Sequence, residues 1–465
     1  IMIDALFLAL LLGMSTQGSK ASAPPDIRCG LGKEFHGARR TELAKRLEKG
    51  LVLMRGLGQT RGYTRFHQDK AFWYLTGIES PEAALVMDLD RKQEVLFLPA
   101  RNAGLEAWDG EFWDASDAWV PALSGFTEIR PIGELMAFLD ERTEEGSVVW
   151  ISKQPHIELS GCHDRAIPAD RRQEKDPLDG RTSREEALAR NLREKFRVEV
   201  RDLSPSLSEL RRIKTPEEIL VLRRASEIGS LAMIEAIRSS RPGLGEWQLD
   251  ALMSFVHRRE GSAGAAYQAI IGAGPNALIL HYSAVSRRMQ AGEMLLIDYA
   301  PEYEHYLSDI TRSWPVDGKF TPRMIELYDA VLEAQEAGIA AVKPGVTMRQ
   351  VEQACREVLR RKGLEHMLTH GTCHYVGLEV HDVGDGSKPV ESGVVFTVEP
   401  GLYEKSTGIG IRIEDVVLVT PTGCEVLSAL VPKDRPMLER LVASDGLLDR
   451  EDPELWELIP ELRPK

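Results

Sequence analysis

Residues 294–300 read MLLIDYA, and residues 394–401 read VVFTVEPG. Each stretch is an apolar run typical of a buried β-strand. Each also carries an acid at or near its end, Asp298 in the first and Glu399 in the second. A charge in a buried strand is unfavourable unless it is paired or binds a cation. The two stretches therefore indicate a site as well as two strands.

The segments ahead of these strands are also alike. Residues 242–261 and 344–363 each begin with a proline and end with a glycine, which are helix start and stop signals. The interval is the same in both, 261 − 242 = 19 and 363 − 344 = 19. Self-similarity of this kind marks repeated structural units. It predicts two similar halves folded around a shared centre.

Each half then carries a histidine followed by two acids. In chain order these residues are His281, Asp298 and Asp309 in the first half and His381, Glu399 and Glu414 in the second. Arg412 is the obvious counter-charge for the four carboxylates, which therefore point to bound cations. His370 and His374 lie just before His381 in a glycine-containing segment, and we interpret this group as part of the same site.

The donor types define the kind of metal. Carboxylates with one imidazole form a hard, oxygen-rich set that suits Mn²⁺ better than a structural zinc ion. No H-E-x-x-H pattern of a zinc protease occurs in the chain. Four carboxylates exceed what one divalent ion needs, so two metal ions that share bridging carboxylates are the natural number.

The rest of the chain divides into segments of different character. Residues 24–202 contain short apolar strands and helical patterns, and they predict an α/β domain. Residues 203–437 hold the repeat and the site, and residues 438–465 form a C-terminal tail. Within the first domain, residues 162–180 are polar and predict a loop. The fold class is α/β (α+β) with a two-domain organisation.

The N-terminus has the composition of a secretory signal. Residues 5–14 are the apolar stretch ALFLALLLGM, and Ala21-Ser22-Ala23 follows as a cleavage pattern. Residues 1–23 therefore predict a signal peptide, with a periplasmic or extracellular mature protein. The usual basic residues before the apolar core are missing, so a cytoplasmic protein is the alternative.

Composition excludes several classes of protein. The chain has 465 residues, of which 43% are hydrophobic and 28% charged, as in ordinary globular proteins. Its net charge of −14 lacks the basic surface that nucleic-acid binding requires. No apolar run is long enough for stable membrane insertion. Five scattered cysteines form neither a disulfide framework nor a zinc-finger spacing.

The site residues resemble a known family. The five that match, in order and context, the metal ligands of the pita-bread metallopeptidases are Asp298, Asp309, His374, Glu399 and Glu414. Their contexts are DYA at 298–300, SDITR at 308–312, HGTCHYVGLEVHD at 370–382, VEPG at 398–401 and IRIED at 411–415. Within this superfamily, DITRSWPV at 309–316 is similar to the Xaa-Pro aminopeptidases (aminopeptidase P). FWYLTG at 72–77 is similar to their creatinase-like N-terminal domain.

This resemblance implies a function and residue roles. The implied activity is release of the N-terminal residue from peptides with proline second, by attack of a hydroxide that bridges two divalent ions. Glu399 would handle the proton of the water, and His281 and His381 would face the substrate. His370, Tyr403 and Arg412 would line the prolyl pocket. A homo-oligomer, dimer or tetramer, is also implied.

Three alternatives share the fold. A prolidase performs the same chemistry on Xaa-Pro dipeptides and must recognise the carboxylate next to proline. A metal-free creatine amidinohydrolase and a non-catalytic pita-bread binding protein both lack the full ligand set, whereas all five residues are present here. A metal-dependent aminopeptidase is therefore the leading prediction.

Overall fold

A computed structural model describes residues 23–24 and 27–449. The predicted signal peptide, apart from Ala23, and the last part of the predicted tail lie outside the described residues. The helices are α1 Lys33–Ala44, α2 Lys70–Thr76, α3 Ala103–Asp109, α4 Val120–Ser124, α5 Leu135–Arg142, α6 His163–Glu174, α7 Arg184–Phe196, α8 Ser204–Arg212, α9 Pro216–Ser239, α10 Glu246–Arg259, α11 Pro322–Ala341, α12 Met348–Arg361 and α13 Arg435–Val442. Among them, none has the length and apolar character that a membrane span requires.

Seventeen strands occur in the described part of the chain. They are β1 Leu51–Arg55, β2 Ala84–Asp88, β3 Gln93–Leu98, β4 Glu128–Pro131, β5 Val148–Ile151, β6 Glu199–Asp202, β7 Gly264–Ala265, β8 Ile270–Ala273, β9 Met294–Asp298, β10 Pro301–Tyr303, β11 Tyr306–Leu307, β12 Thr311–Pro315, β13 Val395–Val398, β14 Gly401–Glu404, β15 Ile409–Arg412, β16 Asp415–Val419 and β17 Cys424–Val426. Short 3₁₀ turns occur at Ile132–Glu134, Gly274–Leu278, Glu365–Met367 and Leu447–Asp449.

The described chain forms two compact units. The first contains the residues up to Ser152 together with Ala187–Leu203, and the second contains Lys153–Glu186 and the residues from Ser204 onward. Residues 153–186 therefore do not belong to the N-terminal domain that was predicted over 24–202. They pack with the second unit because residues of helix α6 bind there, as the hydrogen bond from the His163 backbone N–H to the Glu379 carboxylate illustrates (2.8 Å).

The predicted loop over residues 162–180 is also wrong, since helix α6 occupies much of it. None of the helix's residues is buried. A helix without a buried face carries no apolar periodicity in its sequence, which is why the pattern analysis missed it.

The first unit is built on a six-stranded mixed sheet in the order β4-β3-β2-β1-β5-β6. The β1–β2 and β2–β3 pairs are antiparallel, and the β1–β5 pair is parallel. Alternate side chains such as Leu53, Val86 and Phe97 are buried against Phe138 of α5 and Leu192 of α7. Burial on both faces of the sheet accounts for the continuous apolar runs in its strands.

The second unit contains the predicted repeat. In one half, helices α9 and α10 precede the sheet β12-β9-β8, and in the other, α11 and α12 precede the sheet β13-β16-β17. Gly261 and Gly363 follow α10 and α12 with φ of 93° and 72°, conformations that glycine adopts without strain. Both predicted helix ends are therefore confirmed.

The two halves share one hydrophobic core and meet at the ends of their strands. Buried residues of all four helices and of β9, β12, β13 and β16 belong to a single cluster. The Glu414 backbone N–H donates to the Thr311 carbonyl at 3.1 Å, which ties the start of β12 to the residue before β16. The strand ends that carry the acids are thereby brought together.

Candidate functional site

The first pair of acids lies at one end of the β9–β12 ladder. Asp298 is the last residue of β9 and pairs with Thr311 in the antiparallel register. Asp309 comes two residues before Thr311, so its carboxylate lies at the same end. The Tyr267 hydroxyl lies 2.6 Å from an oxygen of each carboxylate. The structure thus brings the two acids together around a tyrosine that the sequence analysis did not single out.

The second pair of acids follows the same arrangement. Val398 of β13 pairs with Asp415 of β16, so Glu399 and Glu414 flank the end of that ladder. The Thr311 hydroxyl donates to Glu414 Oε2 at 2.6 Å. This bond crosses from the first half to the second and holds the carboxylate in one orientation.

His374 lies beside β13, on the side of the strand that is not paired with β16. Its carbonyl accepts a hydrogen bond from the Thr397 N–H at 2.9 Å, and its Nδ1 lies 3.1 Å from the Tyr375 carbonyl. A carbonyl can only accept, so Nδ1 carries the proton and Nε2 is left as a donor atom for a metal. His374 Nε2 lies 3.4 Å from an oxygen of Asp309 and 3.4 Å from one of Glu399.

The donor set fits a divalent cation. Asp309, His374 and Glu414 each offer one ligand atom, and these atoms lie within 4.8 Å of one another. Burial, followed by the neighbouring carboxylate charges, raises the pKa of Asp309 and of Glu414 well above the usual range. Burial and the charge of Glu414 raise the pKa of Glu399 to about 8. A bound cation would favour the charged form of each carboxyl and reverse these shifts.

A chain of hydrogen bonds connects the acids to the predicted prolyl pocket. Arg412 donates to Asp298 Oδ2 at 2.6 Å and to the Tyr403 hydroxyl at 2.8 Å, and that hydroxyl lies 2.8 Å from His370 Nε2. Burial raises the pKa of Tyr403 to about 12 and lowers that of His370 to about 4. Both side chains are therefore neutral near pH 7, and the pocket's charge is that of Arg412.

The histidines His281 and His381 have partners on helix α6. The His381 ring stacks on His374, with ring centroids 3.9 Å apart, and its Nδ1 lies 2.7 Å from the Asp164 carboxylate. His281 Nδ1 lies 2.6 Å from the Arg165 guanidinium. Neither partner was predicted, because their segment was interpreted as a loop of the other domain.

The loop that carries His281 is held by a buried carboxylate. His281 lies three residues after the 3₁₀ turn Gly274–Leu278, in the segment that leads to strand β9. Glu246 accepts hydrogen bonds from the backbone N–H groups of Ala273 and Arg287, both at 2.9 Å, and from the Tyr282 hydroxyl at 3.0 Å. These bonds span the loop on both sides of His281 and fix its path.

A buried ion network supports the loop that carries His381. Arg211 lies 2.7 Å from Glu379 and 2.6 Å from Asp382, and Lys214 lies 3.1 Å from Asp382. The Glu379 and Asp382 carboxylates flank His381 in the sequence and are almost completely buried. Removing one member of such a network leaves a buried charge without a partner, so these ion pairs stabilise this conformation of the loop.

A carboxylate-rich centre at the meeting point of two similar α/β halves defines the pita-bread class of metallopeptidases. Residues 221–421 match the profile of Metallopeptidase family M24, and residues 36–150 match that of the Aminopeptidase P N-terminal domain. The chain is 33% identical to the Xaa-Pro aminopeptidase of Escherichia coli (strain K12) over 414 residues, which cover 82% of this chain and 89% of that protein. The chain belongs to the aminopeptidase P family of M24 metallopeptidases.

Two further comparisons bear on this membership. The solved structure of aminopeptidase P from Escherichia coli with the inhibitor Pro-Leu superposes with a TM-score of 0.74 and 31% identity, covering 88% of this chain and 98% of that one. A Xaa-Pro dipeptidase of Pyrococcus furiosus is 34% identical over 247 residues, 52% of this chain and 70% of that protein. The predicted family and fold class are confirmed, and the chain is a metal-dependent exopeptidase.

Proposed function

We propose that this chain is a Xaa-Pro aminopeptidase that releases the N-terminal residue from peptides with proline in second position. The observation that carries the proposal is the hydrogen-bonded chain Asp298–Arg412–Tyr403–His370, which joins the carboxylate centre to the neutral side chains of Tyr403 and His370. A proline ring has no N–H to satisfy, so a rigid pocket of this kind suits it.

The residues that would hold the metal are the five that the resemblance implies. They are Asp298, Asp309, His374, Glu399 and Glu414, and we propose that they hold two divalent ions, with Mn²⁺ as the metal. When bound, such ions polarise a carbonyl and lower the pKa of water. The four carboxylates carry the negative charge that two divalent cations require, and the imidazole is neutral. Arg412 then leaves the site with a net charge of one positive unit.

Glu399 is the residue that we assign to proton transfer. Its carboxylate lies between His374 and His370, 3.4 Å from Nε2 of the former and 3.6 Å from Nδ1 of the latter. Pro400 follows it directly, which restricts its backbone. Glu399 would take a proton from water and deliver it to the prolyl nitrogen, which must be protonated to leave as an amine.

His281 and His381 would together support the developing tetrahedral oxyanion and the leaving group. Donors preorganised toward a developing oxyanion are among the largest contributors to catalysis. Burial lowers the pKa of His281, and the nearby charges of Arg165 and Arg412 oppose that of Asp298, so this imidazole is neutral near pH 7 and can serve as a hydrogen-bond donor.

A matched substrate series tests the proposed function. We expect Mn²⁺-loaded protein to hydrolyse Xaa-Pro-Yaa tripeptides and longer peptides, and to leave Xaa-Ala-Yaa intact. Hydrolysis of Xaa-Pro dipeptides alone would instead identify a prolidase, the candidate that the similarity to the Pyrococcus furiosus dipeptidase favours. Full activity after exhaustive chelation would overturn the metal assignment.

Export and self-association complete the proposal. The apolar residues 5–14 and the Ala21-Ser22-Ala23 pattern support a mature protein that begins near Pro24 outside the cytoplasm. N-terminal sequencing of protein from its native host tests this, and a cytoplasmic protein that retains residues 1–23 contradicts it. A dimer or tetramer is the proposed assembly, and light scattering measures it directly.

A further inference from the structure

Three consecutive residues at the start of helix α6 each contact a loop of the site. His163 Nδ1 lies 2.8 Å from Glu379, the Asp164 carboxylate 2.7 Å from His381 Nδ1, and the Arg165 guanidinium 2.6 Å from His281 Nδ1. No residue of the helix itself is buried. The residue that precedes it, Cys162, is buried in a small cluster with Ala266, Leu307 and Val380. The position of the helix therefore depends on the burial of this one residue and on the polar contacts of its first turn.

The chemical nature of the two partners decides which ring nitrogen carries the proton. A guanidinium can only donate hydrogen bonds, so His281 Nδ1 must accept and the proton of the neutral ring must lie on Nε2. An ionised carboxylate can only accept, so His381 Nδ1 must donate. In its neutral form, His381 then presents an unprotonated Nε2.

The charge states of these partners are consistent with this assignment. The hydrogen bond with His381, reinforced by the Cys162 thiol, lowers the pKa of Asp164 well below its usual range, so its carboxylate is ionised. Arg165 makes its only side-chain hydrogen bond within the described chain to His281. Its donors are therefore not diverted to another acceptor there.

We propose that Arg165 and Asp164 are positioning residues that hold His281 and His381 in opposite tautomers. His281 thereby presents an N–H at Nε2, and neutral His381 presents a lone pair at Nε2. With His381 in its neutral form, the pair offers the substrate one donor and one acceptor, whereas two histidines in the same tautomer would offer two groups of one kind. The tautomer assignment is based on contacts within this chain, whereas the role of the two histidines toward peptide substrates rests on the proposed function.

The chain offers well-matched variants for a test. Arg165→Met removes the donor and keeps an apolar stem of similar length, and Arg165→Lys retains a cationic donor. Arg171 lies in the last turn of the same exposed helix, so Arg171→Met serves as the control for helix composition. Because none of these positions is buried, the variants keep the fold, and equal thermal unfolding and metal content verify this.

The first measurement is spectroscopic. In protein labelled with ¹⁵N-histidine, long-range ¹⁵N–¹H correlation distinguishes the two tautomers, and the His281→Gln spectrum assigns the His281 signals. We expect Nε2–H at His281 in the parent, in Arg165→Lys and in Arg171→Met, and a mixed population in Arg165→Met. An Nε2–H tautomer that persists unchanged in Arg165→Met would overturn the proposal.

The second measurement is kinetic. We expect Arg165→Met to lower kcat for Xaa-Pro-Yaa by about 10-fold, less than the 10²–10³ loss seen when an oxyanion donor is removed outright. KM should change little, and Arg165→Lys should restore kcat. A rise in KM with kcat unchanged would contradict the positioning role. Expected tautomers in a parent that does not cleave Xaa-Pro-Yaa would refute the proposed function and leave the tautomers standing.

Discussion

Arg412 Nη2 lies 2.6 Å from Asp298 Oδ2, with only 4% and 11% of the two side chains exposed. The arginine of the predicted prolyl pocket thus binds directly to one of the predicted metal ligands. Its second Nη donates to Tyr403 at 2.8 Å. The predicted prolyl pocket and the predicted metal ligands are therefore coupled through one guanidinium.

This coupling predicts the effect of Arg412→Met. The substitution leaves the Asp298 carboxylate buried without its partner, a change that costs about 3–5 kcal/mol in comparable buried pairs. Bound cations replace part of the lost charge, so we expect the loss of thermal stability to be larger after chelation than with Mn²⁺ present. Calorimetry with and without chelator measures both. An equal loss of stability in the two conditions would show that Arg412 does not compensate the negative charge of the buried carboxylates.

Tyr267→Phe tests the residue that bridges the first pair of acids. Its hydroxyl lies 2.6 Å from both Asp298 and Asp309, and groups that orient metal ligands typically account for about 10–100-fold in metal affinity. We expect Mn²⁺ affinity, measured by calorimetric titration, to fall by roughly 10-fold. The control is Tyr299→Phe, whose hydroxyl contacts Ser254 at 3.1 Å. Equal affinities for parent and Tyr267→Phe would rule out the orienting role.

Glu399→Gln tests the proton-transfer assignment. Glutamine keeps the size and one coordinating oxygen but cannot accept and deliver the proton, so we expect kcat to fall by about 10²–10⁴-fold with a much smaller change in KM. Elemental analysis establishes that the metals remain bound. Glu425→Gln, at a partly exposed glutamate of β17, is the control. A kcat within a few-fold of the parent, with metals bound, would move the role to another residue.

His257 predicts how stability depends on pH. Neither ring nitrogen has a hydrogen-bond partner within the described chain, and burial lowers the pKa of this histidine from 6.5 to about 3. Below pH 6.5 the unfolded state binds a proton that the folded state does not. The contribution of His257 to the free energy of unfolding therefore falls by about 1.4 kcal/mol per pH unit as the pH decreases toward 3.

His257→Leu should remove this dependence. Between pH 7 and pH 5, the free energy of unfolding of the variant relative to the parent should rise by about 2 kcal/mol, because the contributions of all other groups cancel in the difference. Urea unfolding at the two pH values measures it. His366→Leu, at an exposed position, is the control. A pH-independent difference between His257→Leu and the parent would contradict the prediction.

Much of the second unit was predictable from the sequence because its signals are local. The strands around Asp298 and Glu399 are apolar runs. Helix α9 begins after Thr215 with a complete capping box, in which the Thr215 side chain accepts from the Glu218 backbone N–H and the Glu218 side chain accepts from the Thr215 backbone N–H. The repeated Pro-to-Gly spacing indicated two similar halves. Register then places the acids at the strand ends, since an antiparallel ladder aligns Asp298 with Thr311.

What only the tertiary structure decided is which distant side chains meet. Tyr267 contacts two carboxylates from a short connection between strands, and no periodicity singles out a lone aromatic residue there. Helix α6 buries no apolar face, so its sequence could not distinguish it from a loop or assign it to a domain. Apolar periodicity reports burial within one element, whereas the contacts of Asp164 and Arg165 with His381 and His281 are polar and span long stretches of chain. Such contacts form only after the chain has folded, which is why the cluster of buried acids could be predicted from the sequence and the partners of the two histidines could not.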